Sequence, residues 1–248
     1  MEIIAALVAG FFIGAVLGFI GAGGAMLSVP ILMYIFDFTP HHATTAALAV
    51  VFLASLSGAF PKMRAKEVLY RDAFIIWGIG LVTNLGFSSI SDSLPEAFIT
   101  TGFAIVLTFA GASMLRNPFT DIHRRIPVAW LILISLVIGS MTGLFGIGGG
   151  FLAIPVLVLF FGTPQNIAAG TSLLVISLNS LTALLGHNAM WGDVDWHVPI
   201  FMSIGAIVMA SAASHFGRVS SPALLRKSFA TLLLLVATFT LLQALLLS

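Results

Sequence analysis

The sequence predicts an all-α polytopic membrane protein made of two inverted repeats of about five segments each, each repeat holding a Gly-broken short or re-entrant helix. Three observations lead there: a shortage of charge, a succession of ten apolar segments, and a repeat at constant offset. Of 248 residues, 59% are apolar and 8% charged, and mean hydropathy is +1.13. A soluble domain of this size carries about a quarter charged residues, so a water-soluble globule and a disordered chain are excluded. A net charge of +1 leaves no reservoir of cations for a nucleic-acid backbone. The absence of Cys removes disulfide frameworks, thiolate metal sites and thiol redox chemistry.

The first segment, 2–20, follows Met1-Glu2 with no Lys or Arg ahead of it. It therefore reads as a permanent span rather than a cleavable signal, which would carry a basic leader, and no lipidation signal is present. Segment 24–36 follows a glycine cluster and has thirteen residues, too few for a span of about 17–25 and suited to a half-helix. Segments 43–60, 73–90 and 96–115 have membrane-helix length and complete the first half, 1–120. The second half, 121–248, repeats the order with 127–144, the short 149–161, 166–186, 197–216 and 222–246.

The repeat is explicit in the residues. Gly18-Phe19-Ile20-Gly21-Ala22-Gly23-Gly24, ending at Pro30, matches Gly143-Leu144-Phe145-Gly146-Ile147-Gly148-Gly149, ending at Pro155, at an offset of 125. Ala43 through Leu48 lies opposite Ala168 through Leu173 at that offset, and Ser55 opposite Ser180. Constant spacing of this kind marks the internal repeats of many secondary transporters.

Charge placement sets orientation. The ten basic residues fall in three predicted loops: Lys62, Arg64, Lys66 and Arg71; Arg116, Arg124 and Arg125; Arg218, Arg226 and Lys227. These follow the third, fifth and ninth segments, so a ten-segment count puts all of them on one side, which the positive-inside rule makes cytoplasmic. Merging each short segment with its predecessor gives eight spans and splits the basic loops between both sides. With five crossings per half, the second half enters from the opposite side to the first. The expected location is the cell membrane, multi-pass, in a bacterium the inner membrane.

A Gly-rich break inside a membrane segment exposes backbone groups that lipid cannot satisfy, so it survives only when buried in protein or lining a wet cavity. The helix after the break offers free N–H groups and the positive end of its dipole, and glycine lets a ligand approach the backbone. Two such starts converging near the midplane would suit an anion bound by amides, without a buried Lys or Arg. For Gly21, Gly23 and Gly24, and for Gly146, Gly148, Gly149 and Gly150, this binding role is preferred to plain packing. Gly14 and Gly18, four residues apart, read as helix-packing glycines. A dinucleotide fingerprint is discarded, because no acidic residue follows about 20 positions on.

Polar residues within segment 166–186 add a second line. Gly170, Thr171 and Ser172 neighbour the second glycine loop, and Asn179 lies eight residues after Thr171, on roughly the same helical face. They can supply neutral donors or coordinate a coupling ion, or simply hydrogen-bond between helices. The histidines read as interfacial or solvated, and Asp193, Asp195 and His197 as a solvated outer cluster rather than a metal site. Asp72, beside Arg71, is the nearest carboxylate to the membrane and reads as interfacial. No catalytic constellation stands out, so neither an enzyme nor a cofactor is expected.

At the two Gly clusters and the Gly-Thr-Ser run, the sequence resembles the sulfite exporter TauE/SafE family of membrane transporters. The resemblance spans almost the whole chain and rests on Gly21-Ala22-Gly23-Gly24-Ala25, on Gly146-Ile147-Gly148-Gly149-Gly150, each followed by a proline, and on Ala168 through Leu173. It implies a cell-membrane carrier for small sulfur-containing anions such as sulfite and organosulfonates. The first half departs from the pattern: Ala25 replaces a glycine and Thr45-Ala46-Ala47 stands where Gly-Thr-Ser is expected, so most side-chain ligands would come from the second half. The resulting expectation is a secondary transporter working by alternating access, with the lipid bilayer, a small anion and a proton or sodium coupling ion as partners. A homo-oligomer is compatible with the sequence. An anion channel and a structural or assembly protein without transport are the alternatives.

Overall fold

The computed structural model describes residues 1–91, 96–116, 128–145 and 150–247. Every element of any length among them is a helix: α1 (Glu2–Ile20), α2 (Gly24–Ile35), α3 (Pro40–Arg64), α4 (Tyr70–Ser91), α5 (Glu96–Arg116), α6 (Val128–Phe145), α7 (Gly150–Phe161), α8 (Gln165–Gly186), α9 (His197–Val219) and α10 (Pro222–Leu247). The ten helices correspond to the ten predicted segments. Among the described residues, α1, α3, α8, α9 and α10 contain stretches long and apolar enough to cross a membrane. Large apolar side chains such as Phe11, Phe12, Phe109 and Phe239 face outward, as a lipid-facing surface requires. The chain is a multi-pass membrane protein.

Helices α2 and α7 have 12 residues each, about 18 Å at the helical rise, against a hydrocarbon core of about 30 Å. The boundary between α1 and α2 comes from two glycines. Gly21, at φ 87°, takes the left-handed conformation that ends α1, its N–H bonded to the Leu17 carbonyl at 2.8 Å. Gly23, at φ 93°, repeats that conformation immediately before α2, which a side chain would strain.

The bounds of α3, α4 and α9 differ most from expectation. Helix α3 was expected over 43–60 and runs from Pro40, in a first-turn position that suits proline, through Pro61 to Arg64. One proline removes a single backbone bond, which neighbouring helices compensate in a membrane bundle. Lys62 and Arg64 lie in the last turn of α3, Arg71 in α4, Arg116 at the end of α5 and Arg218 in α9, rather than in loops, while Arg226 and Lys227 lie in α10, within the expected segment 222–246. Hydropathy detects the apolar part of a helix, whereas the hydrogen-bonded part continues into its charged ends. Arg124 and Arg125 lie outside the described residues.

Packing follows the small residues. Gly10, Gly14 and Gly18 of α1 lie against the main chain at Met202, Ala206 and Ala210 of α9. Both sets rise in steps of four, so the two helices are parallel with backbones in contact. Gly139 of α6 meets Gly80 and Thr83 of α4 in the same manner. Two hydroxyls tie α3 to α9: Ser57 Oγ donates to the Ile207 carbonyl (2.8 Å) and Ser214 Oγ to that of Gly58 (2.7 Å).

Helices α3 and α8 run antiparallel. The start of α3 meets the end of α8, with Thr45 Oγ1 3.0 Å from His187 Nδ1, and the end of α3 meets the start of α8, with the Lys62 side chain across Gly170. This direction agrees with the ten-segment count, in which α3 and α8 cross oppositely. The eight-span alternative would make them parallel. The other large contacts come in pairs at the repeat offset: α1 on α9 with α6 on α4, and α2 on α3 with α7 on α8, while α5 packs on its own counterpart α10. Apolar residues fill two clusters, one around Ile13, Leu32, Val50 and Met202, the other around Leu107, Ile154, Leu173 and Phe229.

Candidate functional site

The structure brings the first glycine loop against the start of α8. Residues 21–24 are buried, and a Cβ added to Gly21 would lie 2.6 Å from that of Ala169. Gly23 is closed by Leu232 of α10 and Gly24 by Leu17 of α1. The break therefore sits inside protein, as the membrane demands; Gly21 is required both by its positive φ and by the backbone of Ala169, and Gly23 by its positive φ. Ala169, which meets Gly21, directly precedes the Gly170-Thr171-Ser172 run of α8. Of the second loop, Gly150 opens α7, while Gly146, Gly148 and Gly149 lie outside the described residues.

Gly170 is a close-approach glycine. A Cβ there would collide with the Glu67 carbonyl and lie 3.1 Å from Lys62 Cδ, so the turn between α3 and α4 can settle directly on α8. Thr171, fully buried, fastens the same turn: its Oγ1 accepts from the Leu69 N–H (3.0 Å) and donates to the Ile167 carbonyl (2.8 Å). That hydroxyl has one proton, and it is in use. Ser172 is buried beside it. Asn179, partly buried, lies eight residues further along α8, about 12 Å away by helical rise, so it does not share this cluster with Thr171.

Sequence reasoning missed four polar residues here. Lys62, assigned to a loop, has no exposed side-chain area, and its Nζ lies 3.9 Å from Oε2 of Glu67. The other Glu67 oxygen, Oε1, accepts from Asn166 Nδ2 at 3.1 Å. Gln165, 4% exposed, has both amide atoms buried and without a hydrogen-bond partner among the described residues. Gln165 precedes Ala169 by four positions, hence shares the α8 face that meets Gly21. Lys62, expected in a loop, is instead a buried cation in the last turn of α3, packed across Gly170 of α8. The missed signal was the repeat offset itself, which sets Lys62 opposite His187 and Gly170 opposite Thr45. The structure joins Thr45 to His187 at one end of the α3–α8 pair and Lys62 to Gly170 at the other.

The remaining candidates have local roles. Asp195 Oδ1 accepts from the first amide of α9, at His197 (3.0 Å). Asp72 sits in the first turn of α4, where a carboxylate complements the helix dipole. Ser180, 1% exposed, has no hydrogen-bond partner for its hydroxyl among the described residues.

The profile of the family described as Sulfite exporter TauE/SafE matches residues 6–240. The probable membrane transporter protein YunE of Bacillus subtilis (strain 168) is 28% identical, over 83% of this chain and 85% of its own length. The probable membrane transporter protein MJ0441 of Methanocaldococcus jannaschii is likewise 28% identical, over 95% and 94%, and one of Xylella fastidiosa (strain 9a5c) is 28% identical, over 80% and 78%. No solved structure matches. The family match takes in both broken helices and the α8 run packed on the first of them: the chain belongs to the TauE/SafE sulfite exporter family of membrane transporters.

Proposed function

We propose that this protein is a secondary transporter that moves a small anion, sulfite or an organosulfonate, across the cell membrane by alternating access. In this reading residues 1–120 and 121–248 are inverted repeats within one membrane domain. The antiparallel run of α3 and α8, which are repeat counterparts, supports it, as do the paired helix contacts at the same offset. Rocking one half against the other would expose the site to each side in turn.

One observation carries the reading: the α1–α2 break is enclosed by protein, and its Gly21 packs directly on Ala169 of α8, one residue before Gly170. Backbone donors and a positive dipole end select negative charge. The Gln165 amide supplies a neutral donor that helps hold an oxyanion. The second loop, Gly146 to Gly150, would act equivalently on the other side of the pseudo-symmetric pair. Asn179 and Ser180 would line the path between.

The test is flux in proteoliposomes holding the purified protein. Saturable uptake of sulfite or a small sulfonate is expected, competed by the unlabelled anion and dependent on a proton or sodium gradient. Non-saturating conductance would replace the carrier by a channel. An absence of specific flux for sulfite, sulfonates, sulfate and carboxylates alike would remove the transport of small anions.

A further inference from the structure

We propose that Lys62 and Glu67 form an internal anion-exchange site, in which the Glu67 carboxylate occupies the Lys62 cation until a small oxyanion displaces it. The inference rests on the anion-transport reading and assigns that substrate its counter-charge.

The position of Lys62 is the first argument. A lysine in the last turn of a membrane helix ordinarily extends its ammonium to the headgroups and water. Arg64 and Lys66, on the same stretch, are exposed, and Arg64 folds its guanidinium over the Phe60 ring at 4.4 Å. Lys62 turns inward instead, with 0% exposure. Its stem lies across Gly170, the one position in that turn of α8 where a side chain is missing. The first-half counterpart of Gly170 is Thr45, and the counterpart of Lys62 is His187. At that end the contact is an Oγ1 to Nδ1 approach of 3.0 Å rather than a pair of opposite charges. The charged device belongs to one end of the α3–α8 pair alone.

The geometry of the pair is the second argument. Nζ and Oε2 are 3.9 Å apart, close enough for ion pairing but longer than the roughly 2.7–2.9 Å of a charge-assisted hydrogen bond. The carboxylate is held from the far side by Asn166. Its residue is anchored through the backbone, the Glu67 N–H donating to the Lys62 carbonyl at 2.9 Å, after a left-handed turn at Lys66 (φ 60°). Glu67 keeps 18% side-chain exposure whereas Lys62 has none. A displaced carboxylate therefore has a way out to the protein surface, while the ammonium has none.

Energetics favour exchange over simple entry. Removing one partner of a buried pair leaves an uncompensated charge and is strongly unfavourable. Swapping one monoanion for another keeps the cation neutralised throughout. The incoming ligand must resemble what it replaces: a small monovalent oxyanion such as hydrogen sulfite, a sulfonate or a carboxylate.

The experiment compares wild type, Glu67→Gln, Lys62→Gln and the double variant in detergent. Thermal stabilisation is titrated with formate, hydrogen sulfite and methanesulfonate, at ionic strength matched with chloride, which is not an oxyanion, alongside proteoliposome flux. Glu67→Gln is expected to bind these anions at least about tenfold more tightly than wild type, because the competing carboxylate is gone. It should also turn over more slowly, since nothing expels the anion. Lys62→Gln and the double variant should lose the anion-dependent stabilisation. If Lys62→Gln does not fold, the double variant, in which neither charge is orphaned, decides. Unchanged affinity in Glu67→Gln, or retained affinity in the double variant, overturns the proposal and identifies the pair as a structural brace. Tight binding by Glu67→Gln without flux in wild type would keep the exchange site and dismiss the transport reading. Flux in wild type with unchanged affinity in Glu67→Gln would do the reverse.

Discussion

Replacing Gly14 with alanine puts a methyl group where the main chain of α9 already lies. The ideal Cβ would overlap the Ala206 carbonyl oxygen and stand 2.9 Å from Ala206 Cα. Neither atom belongs to a flexible side chain, so the helices must separate, and Gly10 and Gly18 on the same stripe lose contact as well. Overpacking of this kind costs about 1–3 kcal/mol. Gly78 is the internal control, because a Cβ there meets nothing within 4 Å. Relief of glycine's backbone freedom should make Gly78→Ala about 0.5–1 kcal/mol more stable. The backbone gain is common to both helical glycines and cancels, so the two variants should differ by about 1–3 kcal/mol. Reversible unfolding in mixed micelles measures the gap, and transport by Gly14→Ala should fall in proportion to folded protein. Equal unfolding of Gly14→Ala and Gly78→Ala would refute backbone contact between α1 and α9.

Two further outcomes follow from the geometry. Thr171→Val orphans the Leu69 N–H, a loss of about 1–3 kcal/mol; hydrogen exchange at the Leu69 amide should accelerate together with lower stability, and a loss of anion affinity with unchanged exchange would reassign the hydroxyl to the substrate. Because the chain has no native Cys, single cysteines at Lys66 and Asp193 report topology directly: the first should label only from the cytoplasm and the second only from outside, and labelling from one side would discard the ten-segment count.

Sequence alone was sufficient for whatever depends on a run of neighbours. The bounds 2–20 of α1 coincide with the helix, because a long apolar run ended by Gly21 is both a membrane segment and a left-handed stop. Gly14 and Gly18 were legible as packing residues, since a spacing of four marks one face of a helix whatever lies opposite. The 125-residue offset likewise exposed the two short helices and their order.

What the tertiary structure decided is which group meets which across distant sequence. Thr171 was read as a donor to a ligand, yet its proton and lone pair are used by Ile167 and by Leu69, about a hundred residues upstream. Asn179 shares a helical face with Thr171, but a face is not a site when the spacing is about 12 Å. Lys62 gave the opposite lesson. Next to Pro61 and followed by Arg64 and Lys66, it carries the local signature of a membrane-surface lysine. Its burial depends on Gly170 and on the turn that Glu67 makes there. Hydropathy and helical periodicity are sums over adjacent residues and so can be read along the chain. The environment of a charge is set by whatever packs against it, and for Lys62 that is a helix more than a hundred residues away.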